Sequence, residues 1–226
     1  MTKHFAILFA LLTFGFSASA EEILTDRLTP QTTQELIDRG IDLNRTNPDG
    51  ATILMAAASK NPDPQVIEMM VVNGADVNAR DLNGNTPILF AAGFNPNPDI
   101  IRTLLLLGAD INAANNLGAT PLINAALNNP SADAVSVLIT YGSDVNLPDT
   151  SGITPLLAAV ATSLSAEERD TSQVISALLQ AGANPHAYYK DARALDYAEN
   201  NPVLQNTPAI QMLKDAMFNW QTPVAY

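Results

Sequence analysis

The chain has 226 residues, 23 acidic against 11 basic, a formal charge of −12 and no cysteine. That length holds one or two ordinary domains, and the acidity argues against binding phosphate backbones or anionic membrane surfaces, which repel it. The absence of cysteine excludes disulfides, thiolate metal sites and a lipid-anchored amino-terminal cysteine.

Residues 1–20 read as a secretory signal peptide. Lys3 and His4 precede the apolar run "FAILFALLTFGF", and Ala18 and Ala20 occupy the small-residue positions before Glu21-Glu22. The run is too short to span a bilayer. Cleavage would remove Lys3 and no acid, moving the formal charge from −12 to −13. It would leave His186 as the single histidine, which excludes a multi-histidine metal site. No later segment is apolar for long enough to insert in a membrane. The expected location is a bacterial periplasm or, failing that, eukaryotic secretion, where Asn44-Arg45-Thr46 would be a glycosylation acceptor.

The mature chain is expected to open with an amino-terminal cap over 21–46. "EEILTDRL" (Glu21–Leu28) would supply one helix and "TTQELIDRG" (Thr32–Gly40) a second, with Thr32 and Glu35 spaced as a capping box. Two glycine series then run in phase. Gly50, Gly84, Gly118 and Gly152 are 34 residues apart, as are Gly40, Gly74, Gly108 and Gly142. The segments after the first series, "ATILMAAA", "NTPILFAA", "ATPLINAA" and "ITPLLAAV", are variations on one theme, and "GADVN", "GADIN" and "GSDVN" mark the second. These are internal repeats, with boundaries at about 47–80, 81–114, 115–148 and 149–188.

Each unit predicts two helices. Thr is a good N-cap and Pro suits the first helical position, where its missing N–H costs nothing, so "TPILFAA" starts a short helix. Asn61-Pro62, Asn95-Pro96 and Asn129-Pro130 stop it. A second helix carries apolar residues at helical spacing, Ile67, Met70 and Val71 in the first unit and their equivalents later. It ends at a glycine placed for a left-handed C-cap. The fourth unit is six residues longer than the period, the excess falling in "TSLSAEERDTSQ" (Thr162–Gln173), read as a solvated loop with a functional insertion as the alternative. A carboxy-terminal cap is expected over 189–220. "RALDYAE" would replace the first helix there, and "PAIQMLKDAMFNW" would lay Met212, Leu213 and Trp220 over the open face. Residues 221–226 form a loose tail.

Turn, helix, helix with T-P-L and G-A-D-x-N landmarks resembles the ankyrin repeat, and the resemblance covers essentially all of the mature chain. It implies an all-α solenoid of helix–turn–helix units joined by extended turns. Two departures stand out. The unit is one residue longer than the family's ~33, and Met55, Leu89, Ile123 and Leu157 replace the histidine after T-P-L, removing a hydrogen-bond link near the helix start.

Chemistry finds little support. Asp81-Leu82-Asn83-Gly84-Asn85 imitates a calcium loop, but its glycine is fourth rather than sixth and Ala92 stands where a loop glutamate belongs; turn formation explains the cluster better. His186 lies in a turn with no recognisable partner. Glu21-Glu22 and Glu167-Glu168 sit in polar settings that would not split their pKa values. No enzyme, metal or cofactor is expected.

What the resemblance implies instead is protein binding by turn tips and the exposed side of the first helices. The family's variable positions fall on Pro48, Asp49, Ala51, Ser59 and Lys60 in the first unit, and on Leu82, Asn83, Asn85, Gly93 and Phe94 in the second. They fall on Asn116, Leu117, Ala119, Leu127 and Asn128 in the third, and on Thr150, Ser151, Ile153, Ala161 and Thr162 in the fourth. Apolar members of this set suggest an interface patch, to which Tyr188 and Tyr189 would add aromatic anchors. The expected function is an exported, monomeric protein–protein interaction module. A periplasmic inhibitor or immunity-type partner of an envelope enzyme is the alternative, and a small-molecule or glycan binder a third reading.

Overall fold

The computed structural model describes residues 27–129, 131–161 and 171–220. The segment read as a signal peptide, most of 21–28, the bulk of the fourth-unit insertion and residues 221–226 therefore lie outside the described residues.

Eleven helices and one two-stranded hairpin occur among the described residues. In chain order they are α1 (Pro30–Asp38), α2 (Ile53–Lys60), α3 (Pro64–Val72), α4 (Pro87–Phe94), α5 (Pro98–Leu106), α6 (Pro121–Asn128) and α7 (Ala132–Thr140). There follow α8 (Pro155–Ala161), α9 (Ser172–Gln180), β1 (Tyr188–Tyr189), β2 (Ala192–Arg193), α10 (Ala194–Glu199) and α11 (Ala209–Asn219). The chain is an all-α solenoid of two layers. First helices α2, α4, α6, α8 and α10 pack side by side in one row, and α1, α3, α5, α7, α9 and α11 form the other. Each unit buries its apolar side against its neighbours, so one continuous core runs from Leu28 to Leu213.

Local chemistry explains the helix boundaries. Thr52, Thr120 and Thr154 accept backbone N–H bonds of 3.3–3.4 Å from residues three further on. Thr86 makes no such bond, and its hydroxyl is buried without a partner. Where the histidine of the family is missing, Met55 offers a weak substitute, its sulfur accepting the Thr52 N–H at 3.4 Å. Gly74, Gly108 and Gly142 end the second helices at φ of 95–100°, the left-handed region a C-cap requires.

Two expectations change. The amino-terminal capping box is built by Thr29 and Thr32, not Thr32 and Glu35. The Thr29 hydroxyl accepts the Thr32 N–H at 3.2 Å, and the Thr32 hydroxyl accepts the Thr29 N–H at 2.9 Å. Pro30, with its fixed φ and no N–H to satisfy, takes the first helical position and starts the helix early. At the other end Leu213 is fully buried beneath α11, but Met212 and Trp220 are only half-buried.

The asparagines of the Asn-Pro turns do more than stop a helix. Asn95 is completely buried, and its amide donates to the carbonyls of Ala58 and Asn61, both at 2.9 Å, in the preceding unit. Asn129 repeats this toward Ala92 and Asn95 at 2.8 and 3.0 Å, while Asn61 reaches Leu28 at 3.0 Å and Asn201 reaches Val160 at 3.1 Å. The amide oxygens accept the N–H two residues on, as Asn95 does from Asn97. A second series lies at the outer turns, where Asn44, Asn78 and Asn146 donate to the carbonyls of Gly74, Gly108 and Gly182 in the next unit. The stack is thus stitched by side-chain amides on both sides of the core.

Candidate functional site

The turn tips are built alike. Asp81 Oδ1 accepts the backbone N–H groups of Asn83 and Asn85 at 2.9 and 2.7 Å, and its Oδ2 accepts the Asn85 amide at 3.0 Å. Asn47, Asn115 and Asp149 make the same pair of backbone bonds in their own turns. The polar cluster at Asp81–Asn85 is therefore turn chemistry. Successive tips are joined directly: Leu82 N–H donates to the Asp49 carbonyl at 2.9 Å, Asn116 to Asn83 at 2.9 Å and Thr150 to Leu117 at 3.0 Å. At Gly50, Gly84 and Gly118 glycine is favoured by this closeness as well as by φ. A Cβ on Gly118 would lie 2.7 Å from the Thr150 nitrogen.

The structure divides the candidate binding residues into two rows. Leu82, Asn83, Asn116, Leu117, Ser151 and Tyr188 are exposed along the tips, with Leu82 and Tyr188 each 72% accessible. Phe94, Leu127 and Asn128 are exposed at the far ends of the first helices. An eight-residue helix such as α4 separates the rows by about 10 Å, so the apolar members do not form one unbroken patch. Four assignments shift toward structure. Ile153 and Tyr189 are half-buried and pack on the core. Asn85 is half-buried, its amide oxygen accepting from Asn115 Nδ2 at 3.0 Å. Gly93 is buried where the variable position was expected to be open. Asn116, though exposed, donates its amide to the Leu82 carbonyl at 3.0 Å and so helps to fix the tip beside it.

Between the two rows lies a groove of 380 Å³ at the joint of the first two full units. Asp49 and Asp81 stand at its tip end, and Ala51, Met55 and Ala56 line its floor; Phe90 forms a wall, and Ser59 and Lys60 mark its far end. The positions expected from the sequence include Asp49, Ala51, Ser59, Lys60, Asn83 and Asn85 but not Phe90. A signal was available: the equivalent positions in the other units are Ala56, Asn124 and Ala158, so stacking does not require an aromatic there.

No group of three or more His, Asp or Glu side chains is disposed to hold a metal among the described residues. His186 is exposed, with its backbone N–H bonded to Asn184 Oδ1 at 2.9 Å. Among the described residues no helix is long and apolar enough to cross a membrane. The arrangement presents a shaped surface.

A family model described as ankyrin repeats (3 copies) matches residues 27–115 and 89–189. The chain belongs to the ankyrin-repeat family. Comparison with curated proteins gives no match for this ankyrin-repeat protein. Among solved structures, an ankyrin repeat domain from Acinetobacter baumannii AYE is 27% identical, with a TM-score of 0.69 over 89% of this chain and 99% of its own. In all 486 solved chains match, so the ankyrin fold is widely shared and does not by itself select a partner. Ankyrin repeats act in general as protein–protein interaction modules, and this chain carries that architecture from Arg27 onward.

Proposed function

We propose that this ankyrin-repeat protein is exported to the periplasm and there binds another protein through its turn tips and the exposed side of its first helices. The observation that carries the reading is the exposure, on one face of a rigid stack, of large apolar side chains that the fold does not need. Leu82 is 72% accessible, Leu117 69% and Phe94 52%. Leu82 and Leu117 stand on adjoining tips, linked by the Asn116 amide bond to the Leu82 carbonyl; adjoining apolar groups held in the open commonly mark an interface, and a rigid backbone lowers the ordering cost of binding. The amino-terminal signal sequence supports the location.

The test is affinity capture from an envelope extract with the purified protein, alongside a Leu82→Asp/Phe94→Asp double variant. Both sites are exposed, so the variant is expected to fold, with an unchanged circular dichroism spectrum, and to lose the captured protein. Retention of the same partner by the double variant would show that this face is not the binding surface.

A further inference from the structure

We propose that the groove between the first two full units accepts a cation: the guanidinium or ammonium end of an arginine or lysine side chain presented by an extended segment of the partner. This rests on the interaction-module reading and assigns its partner chemistry.

Three features meet in the lining of this groove. The 2.9 Å bond from Leu82 N–H to the Asp49 carbonyl holds two tips together and brings the side chains of Asp49 and Asp81 to the same rim. The Asp49 carboxylate takes part in no hydrogen bond or ion pair among the described residues, and it is exposed. Asp81 spends three acceptor positions on its own turn, and an ionised carboxylate has about four. Phe90 lines the same groove, and the face of an aromatic ring attracts a cation held within about 6 Å of it. Ala51, Met55 and Ala56 give the floor an apolar character suited to the methylene stem of a long basic side chain.

Comparison along the stack shows that this charge is local. The residues matching Asp49 and Asp81 at the next joint are Asn83 and Asn115, and at the one after, Leu117 and Asp149. Two carboxylates meet only at the first of these three joints. Among the described residues lining the groove, the opposing charge is Lys60, the last residue of α2. It lies about 10 Å along the helix axis from the acidic end, roughly one Debye length at 0.1 M salt. The chain's formal charge of −12 would further draw a basic segment toward the site.

The test titrates the full chain with terminally blocked pentapeptides, Gly-Leu-X-Leu-Gly, where X is arginine, lysine, glutamine or glutamate, and follows backbone amide NMR shifts. The arginine and lysine peptides should shift Ala51, Asn83 and Asn85 saturably and bind about tenfold more tightly than the glutamine peptide. Asp49→Asn and Asp81→Asn are the paired variants. Each imports a residue this chain already uses at the matching position, and Asn115 keeps both turn bonds at 3.0 Å, so the fold is retained. The double variant should abolish the preference for a basic residue. Equal binding of the glutamine peptide, a preference that survives the double variant, or no saturable shift of groove amides overturns the proposal. Applied to the capture experiment, a partner lost by Leu82→Asp/Phe94→Asp but kept by Asp49→Asn/Asp81→Asn removes this inference alone. A partner kept by both removes the interface as well.

Discussion

Gly93 sits inside α4, where most residues would serve the helix better. A Cβ built there meets its nearest neighbours, Asn124 Cβ and Nδ2, at 3.8 and 3.9 Å, ordinary contact distances. The equivalent residues are Ser59, Leu127 and Ala161, so the repeat accommodates side chains of several sizes. Gly93→Ala should therefore act mainly by restricting the unfolded chain and stabilise the protein by about 0.5–1 kcal/mol, raising the thermal midpoint by about 2 °C. A lowered midpoint would mean that the α4–α6 contact is tighter than its geometry indicates. Gly118 is the opposite case. Its φ of 76° and the neighbouring Thr150 backbone leave no room for a side chain, and for that reason its comb was visible in the sequence. Phe90 was harder to read, because whether a side chain lines a groove depends on which residues the next unit sets opposite it.

At the scale of elements, the first helices end where sequence rules place them, yet the reason Asn recurs there was not legible. An Asn-Pro pair advertises a helix stop, which is local chemistry. That its amide reaches carbonyls 34 and 37 positions back, as Asn95 does to Asn61 and Ala58, leaves no mark in residue identity, since the acceptors are backbone. The same blindness produced the misplaced cap at Thr32: the Thr-x-x-Glu spacing matched a motif, while Thr29-Pro30 decided where α1 begins. The buried amide makes a firm prediction. Asn95→Ala removes the buried amide bonds to the Ala58 and Asn61 carbonyls and the bond from the Asn97 N–H, and at about 1–3 kcal/mol for a buried group left unsatisfied the loss should be on the order of 3 kcal/mol. Denaturant unfolding measures it. A loss under 1 kcal/mol would mean that water reaches these groups.

For the whole molecule, charge and connectivity set the behaviour. Against a formal charge of −12, three ion pairs seen among the described residues, Asp99–Arg102, Arg193–Asp196 and Glu199–Lys214, are exposed and contribute little. Net self-repulsion should dominate, so raising sodium chloride from low to physiological concentration should stabilise the fold, on the order of 1 kcal/mol, by screening it. Thermal melts across a salt series check this, and a midpoint that falls with salt would show that attractive pairs outweigh repulsion. Because neighbouring units hold one another while distant ones do not touch, the loss caused by Asn95→Ala should fall on one joint of the stack.

The tip bonds and the buried asparagines share a property that bears on how such a chain can change length. These donors find their acceptors at matching places in the unit before: Asn116 and Asn129 address Asn83, Ala92 and Asn95 just as Leu82 and Asn95 address Asp49, Ala58 and Asn61. A duplicate of residues 81–114 inserted after Ala114 would meet a complete set of partners at both of its edges. The joint behaves as a standard coupling, so the face can grow by a whole unit while the acidic groove at Asp49 and Asp81 is left as it stands.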